Sequence, residues 1–195
     1  MPEPTVRAVS DPPPPQAALY PTKVVNIIGG PGCGKSLFSA TIMLHLHQHH
    51  KTVEQLPDHA RLLVWRGDHD ALRNQYQIAL QQFRLLELLD GKVQYLVSEC
   101  SLPQLLYYNA HYAGNVCDVA RTRAQILHWH GRHETINVLV ERGDGAYLRA
   151  GRLQDEEGAR AVDRELRVLL DREHIAHTIV RADLDAIRAF ADSLM

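Results

Sequence analysis

At 195 residues the chain suits one domain and is long enough for a substantial core. Its 45% hydrophobic and 23% charged content are ordinary for a soluble globular protein. A formal net charge of −2 gives no global attraction to nucleic acid or acidic membranes, which excludes a passive nucleic-acid coat but not an enzyme with a local basic groove.

Seven of the ten prolines fall in the first 21 residues, so 1–21 is expected to be an extended tail outside the fold. The apolar run Lys23–Ile28 reads as a buried parallel strand, and residues 35–50 as a helix. Residues 52–56 are a second strand stopped by Pro57. A long helix is expected over 70–89, ending at Asp90-Gly91. Strands over 92–97, 136–141 and 177–181 alternate with helices over 103–112, 119–130, 155–171 and 184–194. Five strands alternating with helices imply an α/β fold, a parallel sheet covered on both faces, with residues 22–195 as one domain.

Three cysteines, Cys33, Cys100 and Cys117, form neither a CxxC pair nor a disulfide framework, so a reducing compartment, the cytoplasm, is expected. No run of eighteen apolar residues occurs, so no membrane span is expected, and no secretory signal is evident.

Between the first strand and helix lies Gly29-Gly30-Pro31-Gly32-Cys33-Gly34-Lys35-Ser36, followed by Leu37, which fits G-x-x-x-x-G-K-S. Glycines let successive N–H groups turn inward toward a polyphosphate, and the helix start adds positive character. This pattern predicts ATP on the loop, Lys35 on the β- and γ-phosphates and Ser36 on Mg²⁺. No Asn-Lys-x-Asp or ABC-type signature is present, and the chain is short for a RecA-like motor, leaving a small kinase.

Glu99 ends the third strand, where it would complete the Mg²⁺ shell. Asp58, beyond Pro57, is placed to accept the proton of an incoming hydroxyl, with a helix cap as its alternative role. Arg61 lies near the same face and could hold an anionic group of the acceptor. In 70–89, Gln75 and Gln82 flank an apolar face and could read a nucleobase edge, with Tyr76 or Phe83 as the stacking ring, although an aromatic on this spacing is more often core. The stretch 142–155, with Arg142, Arg149 and Arg152 among glycines, reads as a lid supplying cationic donors. Histidines cluster at 45–50 and 128–133, without the spacing of a closed zinc site, and read as polar faces.

On "NIIGGPGCGKS", the 53–65 stretch, "QYQIALQQFRLLELLDGKV", Glu99 and "GRLQDEEGARAVDREL", the chain from Thr22 to Ile187 resembles small bacteriophage P-loop kinases of the thymidylate-kinase-like group. Some of these resemble 5-hydroxymethyl-deoxyuridine DNA kinases. The resemblance implies a three-layer P-loop kinase fold with strand order 2-3-1-4-5 and an arginine-bearing lid. It also implies ATP as donor, Mg²⁺, and DNA containing 5-hydroxymethyluracil as acceptor, in the host cytoplasm if phage-encoded. That family commonly has Asp where this chain has Glu99 and Glu where it has Asp58, so which acid is the base stays open. A flipped base in duplex would need a basic groove, for which Arg121, Arg123 and Arg132 are the candidates. A free deoxynucleoside or deoxynucleotide kinase and a non-catalytic nucleotide-binding module are the alternatives. The oligomeric state is left open, with a homodimer among the options.

Overall fold

In a computed structural model of the chain the described residues are 18–143, 145, 147 and 154–195. Five strands, β1 (Lys23–Ile28), β2 (Val53–Leu56), β3 (Tyr95–Ser98), β4 (Glu134–Glu141) and β5 (Thr178–Arg181), form one sheet in the order β2-β3-β1-β4-β5. Every strand pair is parallel. β1 lies at the centre because its run from Val24 to Ile28 is buried throughout, as a strand covered on both faces requires. Its polar residue, Asn26, donates from Nδ2 to Oδ1 of Asn137, its partner in register on β4, at 2.9 Å.

Eight helices complete the described fold: α1 (Lys35–Gln48), α2 (His59–Arg66), α3 (His69–Leu72), α4 (Gln75–Leu89), α5 (Leu102–His111), α6 (Val119–His130), α7 (Glu156–Arg172) and α8 (Leu184–Asp192). On one face Val25 and Ile27 pack with Phe38, Ile42 and Leu46 of α1 and with Ile187 and Ala191 of α8. On the other, Ile28 joins Ile78, Leu105, Ile126, Leu166 and Leu170 from α4 to α7. The expected α/β class, five-stranded parallel sheet and strand order are all present.

β3 begins three residues later than the strand expected over 92–97, and two further regions differ from the expectation. Residues 57–66 contain a helix, α2, capped by Asp58, whose Oδ1 accepts from Arg61 N at 2.9 Å. The expected 70–89 helix is broken into α3 and α4. At the break, the Asn74 side chain accepts from Gln77 N at 3.0 Å, and the segment between α5 and α6 bonds to Arg73, Val116 N to Arg73 O at 3.0 Å. A side chain that competes for the helix's own N–H groups favours a start over a continuation.

Of the expected tail, residues 18–21 are described, and they are tied to the fold rather than outside it: the N–H groups of Leu19 and Tyr20 donate to Gly91 O at 2.6 and 3.1 Å. The proline run lies outside the described residues. Among the described residues no helix is long and apolar enough to cross a membrane.

Leu166, fully buried on α7, should be the test of this layer. Leu166→Ala is expected to lower unfolding free energy by about 2–5 kcal/mol, and the exposed Val168→Ala by less than about 0.5 kcal/mol, both read from urea unfolding.

Candidate functional site

Parallel strands end on one edge of the sheet, and there a cleft of about 540 Å³ opens between the loop after β1, α2, α4 and α5. One end is lined by the glycine-rich loop from Pro31 to Leu37. Across it stand Asp58, Arg61 and Glu99, and the far end is formed by Val64, Leu72, Gln75, Leu105, Tyr108 and Tyr112.

Seven of the eight helices begin at an Asp, Asn or Ser whose side chain accepts a first-turn N–H. The exception is α1, which starts after Gly34 with no side-chain cap and no acid in its first turn. Its first turn therefore meets no capping oxygen and no carboxylate, only the Cys33 thiol at the Lys35 N–H, and the positive end of its dipole is left without a counter-charge. Gly34 itself has φ +107, and a Cβ there would lie 2.7 Å from that of Ala182.

The loop is clamped from outside. Gly30 N donates to Asp163 Oδ1 at 2.7 Å, and Arg142 Nε donates to Asp163 Oδ2 at 2.9 Å. Arg142 also donates to Pro31 O at 3.0 Å, and Gly29 N donates to Gln104 Oε1 at 3.2 Å. A Cβ on residue 30 would meet Ala159 O at 2.6 Å, so only glycine fits under α7. Lys35 Nζ donates to Gly29 O and Gly30 O, at 2.7 and 3.0 Å, which holds the ammonium over the loop.

Ser36 and Glu99 are brought together: Ser36 Oγ donates to Glu99 Oε2 at 2.8 Å, and Gln55 Nε2 donates to Glu99 Oε1 at 2.8 Å. Glu99 is 7% exposed, so these two bonds hold it in one orientation. Asp58 caps α2 and also lines the same cleft, so the capping role is present and leaves the residue at the cleft wall. Arg61 is an exposed residue of the cleft mouth.

Gln75 is 3% exposed and lines the far end; Nε2 donates to Leu72 O at 2.8 Å, while Oε1 has no partner. Tyr76, expected to stack on a base, is absent from the cleft lining. Its ring packs 5.9 Å from Trp129, and Phe83 stacks on the same indole at 4.8 Å. α4 is turned so that Gln75 and Gln82 face inward, which carries Tyr76 round to α6. The aromatics of the cleft are Tyr108 and Tyr112, which sequence reasoning missed. Gln104 and Tyr108 on α5 and Tyr112 at its C-cap recur every four residues, and that spacing was a legible signal.

Arg149 and Arg152 lie outside the described residues. Arg121, Arg123 and Arg132 do not line the cleft. Arg123 is bonded to Glu173 through Nε at 2.9 Å, and Arg132 to Glu87 at 3.2 Å, so neither presents an unpaired cation to a groove.

Burial pushes the thiols of Cys33 and Cys100 up from their ordinary values, for Cys100 with the Asp58 carboxylate adding to it. Burial likewise raises the Tyr108 phenol. These groups are neutral at physiological pH, so charge in the described cleft is carried by Lys35, Asp58, Arg61 and Glu99.

No protein-family model matches the chain, and no curated protein matches it.

Cys117 is half-buried, whereas Cys33 and Cys100 are 2% and 3% exposed. Alkylation near pH 8 should modify Cys117 first, with Cys33 and Cys100 reacting only as the protein unfolds. Because folding raises both buried thiol pKa values, their contribution to stability is complete below about pH 9, the unfolded value, and is lost as pH rises toward the folded values. Peptide mapping after timed labelling checks the order.

Proposed function

We propose that this chain is an ATP- and Mg²⁺-dependent kinase whose acceptor is the hydroxymethyl group of 5-hydroxymethyluracil in DNA. The observation that carries the reading is a single cleft with a Ser36–Glu99 pair at the glycine-rich end and a buried, unpartnered amide oxygen, Gln75 Oε1, at the apolar end.

The residues fit ATP and Mg²⁺. A loop closed to any Cβ at residue 30, an uncapped helix start and the Lys35 ammonium suit a polyphosphate. A hydroxyl and a carboxylate in contact, Ser36 and Glu99, suit a hard divalent cation that takes oxygen ligands. Mg²⁺ bound there would neutralise charge building on the transferred phosphoryl oxygens.

Lys35 exchanges its two loop carbonyls for phosphate oxygens. Gln55 holds the Glu99 carboxylate toward Ser36. The Asp58 carboxylate then accepts the proton of the attacking hydroxyl while Arg61 holds an acceptor phosphate. Gln75 Oε1 accepts the N3–H of a uracil-type base, since Leu72 O already fixes the amide nitrogen. The rings of Tyr108 and Tyr112 flank that base, and Arg149 and Arg152 are the proposed lid donors.

A second reading, a free deoxynucleotide kinase, is favoured by one observation: Arg123 and Arg132 are paired to Glu173 and Glu87. Labelled ATP offered with hydroxymethyluracil duplex, plain duplex, and free nucleosides and monophosphates separates the readings. Transfer to the modified duplex is expected; transfer to free nucleotides alone would overturn the DNA reading, and ATP binding without transfer would favour a nucleotide-binding module. Lys35→Ala should abolish transfer. Asp58→Asn should lower turnover by about 10²–10⁴ with nucleotide binding kept. Gln75→Leu should raise the acceptor KM while leaving that of ATP unchanged.

A further inference from the structure

The far end of α4, away from the cleft, carries an arrangement that the kinase reading does not use. Glu87 and Asp90, one turn apart, meet His133 from the turn before β4, and one ligand atom from each lies within 4.8 Å of the others. The His133 side chain is 4% exposed. Its Nε2 is 3.1 Å from Glu87 Oε1 and its Nδ1 3.6 Å from Asp90 Oδ2. Yet the contact to Glu87 is off-line for a hydrogen bond, so Nε2 is a buried nitrogen with no hydrogen-bond partner.

We propose that Glu87, Asp90 and His133 bind a divalent transition-metal ion of the Zn²⁺ class, clipping the end of α4 to the start of β4.

Three features support a cation there. Zn–N and Zn–O bonds of about 2.0–2.1 Å place neighbouring tetrahedral ligands roughly 3.3 Å apart, close to the observed separation of Nε2 from Oε1. Both carboxylates sit at the C-terminal end of α4, whose last turn has no basic residue, so they face the negative end of the helix dipole and gain from a cation. The first and second partners are also held in place. Arg132 binds the other Glu87 oxygen, Oε2, at 3.2 Å and lies over the Phe83 ring, 5.3 Å from its centre. The His133 ring leans on the same Phe83 at 6.1 Å. A carboxylate steadied by an outer donor is how metal ligands are commonly oriented.

The donor set selects the ion. One imidazole and two carboxylates suit Zn²⁺, Co²⁺ or Mn²⁺, whereas Mg²⁺ and Ca²⁺ prefer oxygen alone and Cu(I) prefers sulfur. Glu87 and Asp90 are exposed residues, which leaves water to complete a fourth position. The site shares no residue with the cleft, so its fate is independent of the kinase reading.

The full-length chain titrated with Zn²⁺ by calorimetry, in the absence of nucleotide, tests the proposal. His47, His49 and His50, exposed together at the end of α1, could take up zinc themselves, so the same titration is run on the His47→Asn/His49→Asn/His50→Asn variant. One Zn²⁺ per chain is expected to remain in that variant, and Kd should rise at least about tenfold in His133→Asn and in Glu87→Gln. Zn²⁺ should also raise the Tm of the wild type and not that of Glu87→Gln, a near-isosteric change that keeps the fold testable if His133→Asn does not fold. Zn²⁺ uptake unchanged in Glu87→Gln, lost in the His47→Asn/His49→Asn/His50→Asn variant, or absent from the wild type would overturn the site.

Discussion

One carboxylate, Asp163 on α7, fixes the shape of the cleft. It accepts the Gly30 N–H with one oxygen and the Arg142 guanidinium with the other, and Arg142 reaches on to Pro31 O. Segments that follow β1, β4 and the 143–155 connection therefore meet at a single ion pair. Arg142 is 10% exposed and Asp163 22%, so the pair is largely withdrawn from water and its desolvation offsets much of its Coulomb energy. Its contribution is geometric. A loop with four glycines in six residues would otherwise sample many backbone states, and the clamp selects one.

That fixed loop divides the cleft by polarity. At one end lie an uncapped helix start, an ammonium and a buried carboxylate held by two donors. At the other lie aliphatic and tyrosine side chains around one unsatisfied amide oxygen. A buried acceptor without a partner destabilises the fold by roughly 1–3 kcal/mol, an expense that a ligand N–H would remove. This gradient is why a planar, hydrogen-bonding acceptor beside a polyphosphate is the reading proposed. A donor-only nucleotide module would have no use for the second end.

Much of the fold was legible because buried parallel strands are short apolar runs between turn residues. Lys23–Ile28 matches its expected limits, and α6 spans Val119–His130 as expected. The glycine-rich loop was legible too, since the 29–36 pattern is continuous in sequence. What periodicity could not tell was rotation: Leu72, Tyr76 and Phe83 share a face with Gln75 and Gln82 at its margin, and either margin could have turned inward. The core chose the glutamines, 3% and 1% exposed, and Tyr76 went to Trp129. Asp58 was readable as base or as cap; the cap is present, and the residue lines the cleft. The Asp163–Arg142 clamp joins residues far apart in the chain, as does the meeting of His133 with Glu87 and Asp90. The 128–133 histidines were read as a polar face, and spacing within that stretch gave no sign that His133 meets two carboxylates from the end of α4.

α4 then links two chemistries along one rod. Gln75 opens it and Glu87 lies twelve residues on, about 18 Å away at the helical rise. Between them Phe83 stacks on Trp129, pinning the rod to α6 at its middle. A cation at the far end cannot touch the cleft, and the stacked pair resists rotation of α4 about its axis. A metal clip there therefore acts on how firmly the end of α4 is tied to β4, so it bears on stability, and the position of Gln75 depends on Phe83 and Leu72 O instead. Two sites on one helix can in this way be loaded and lost independently.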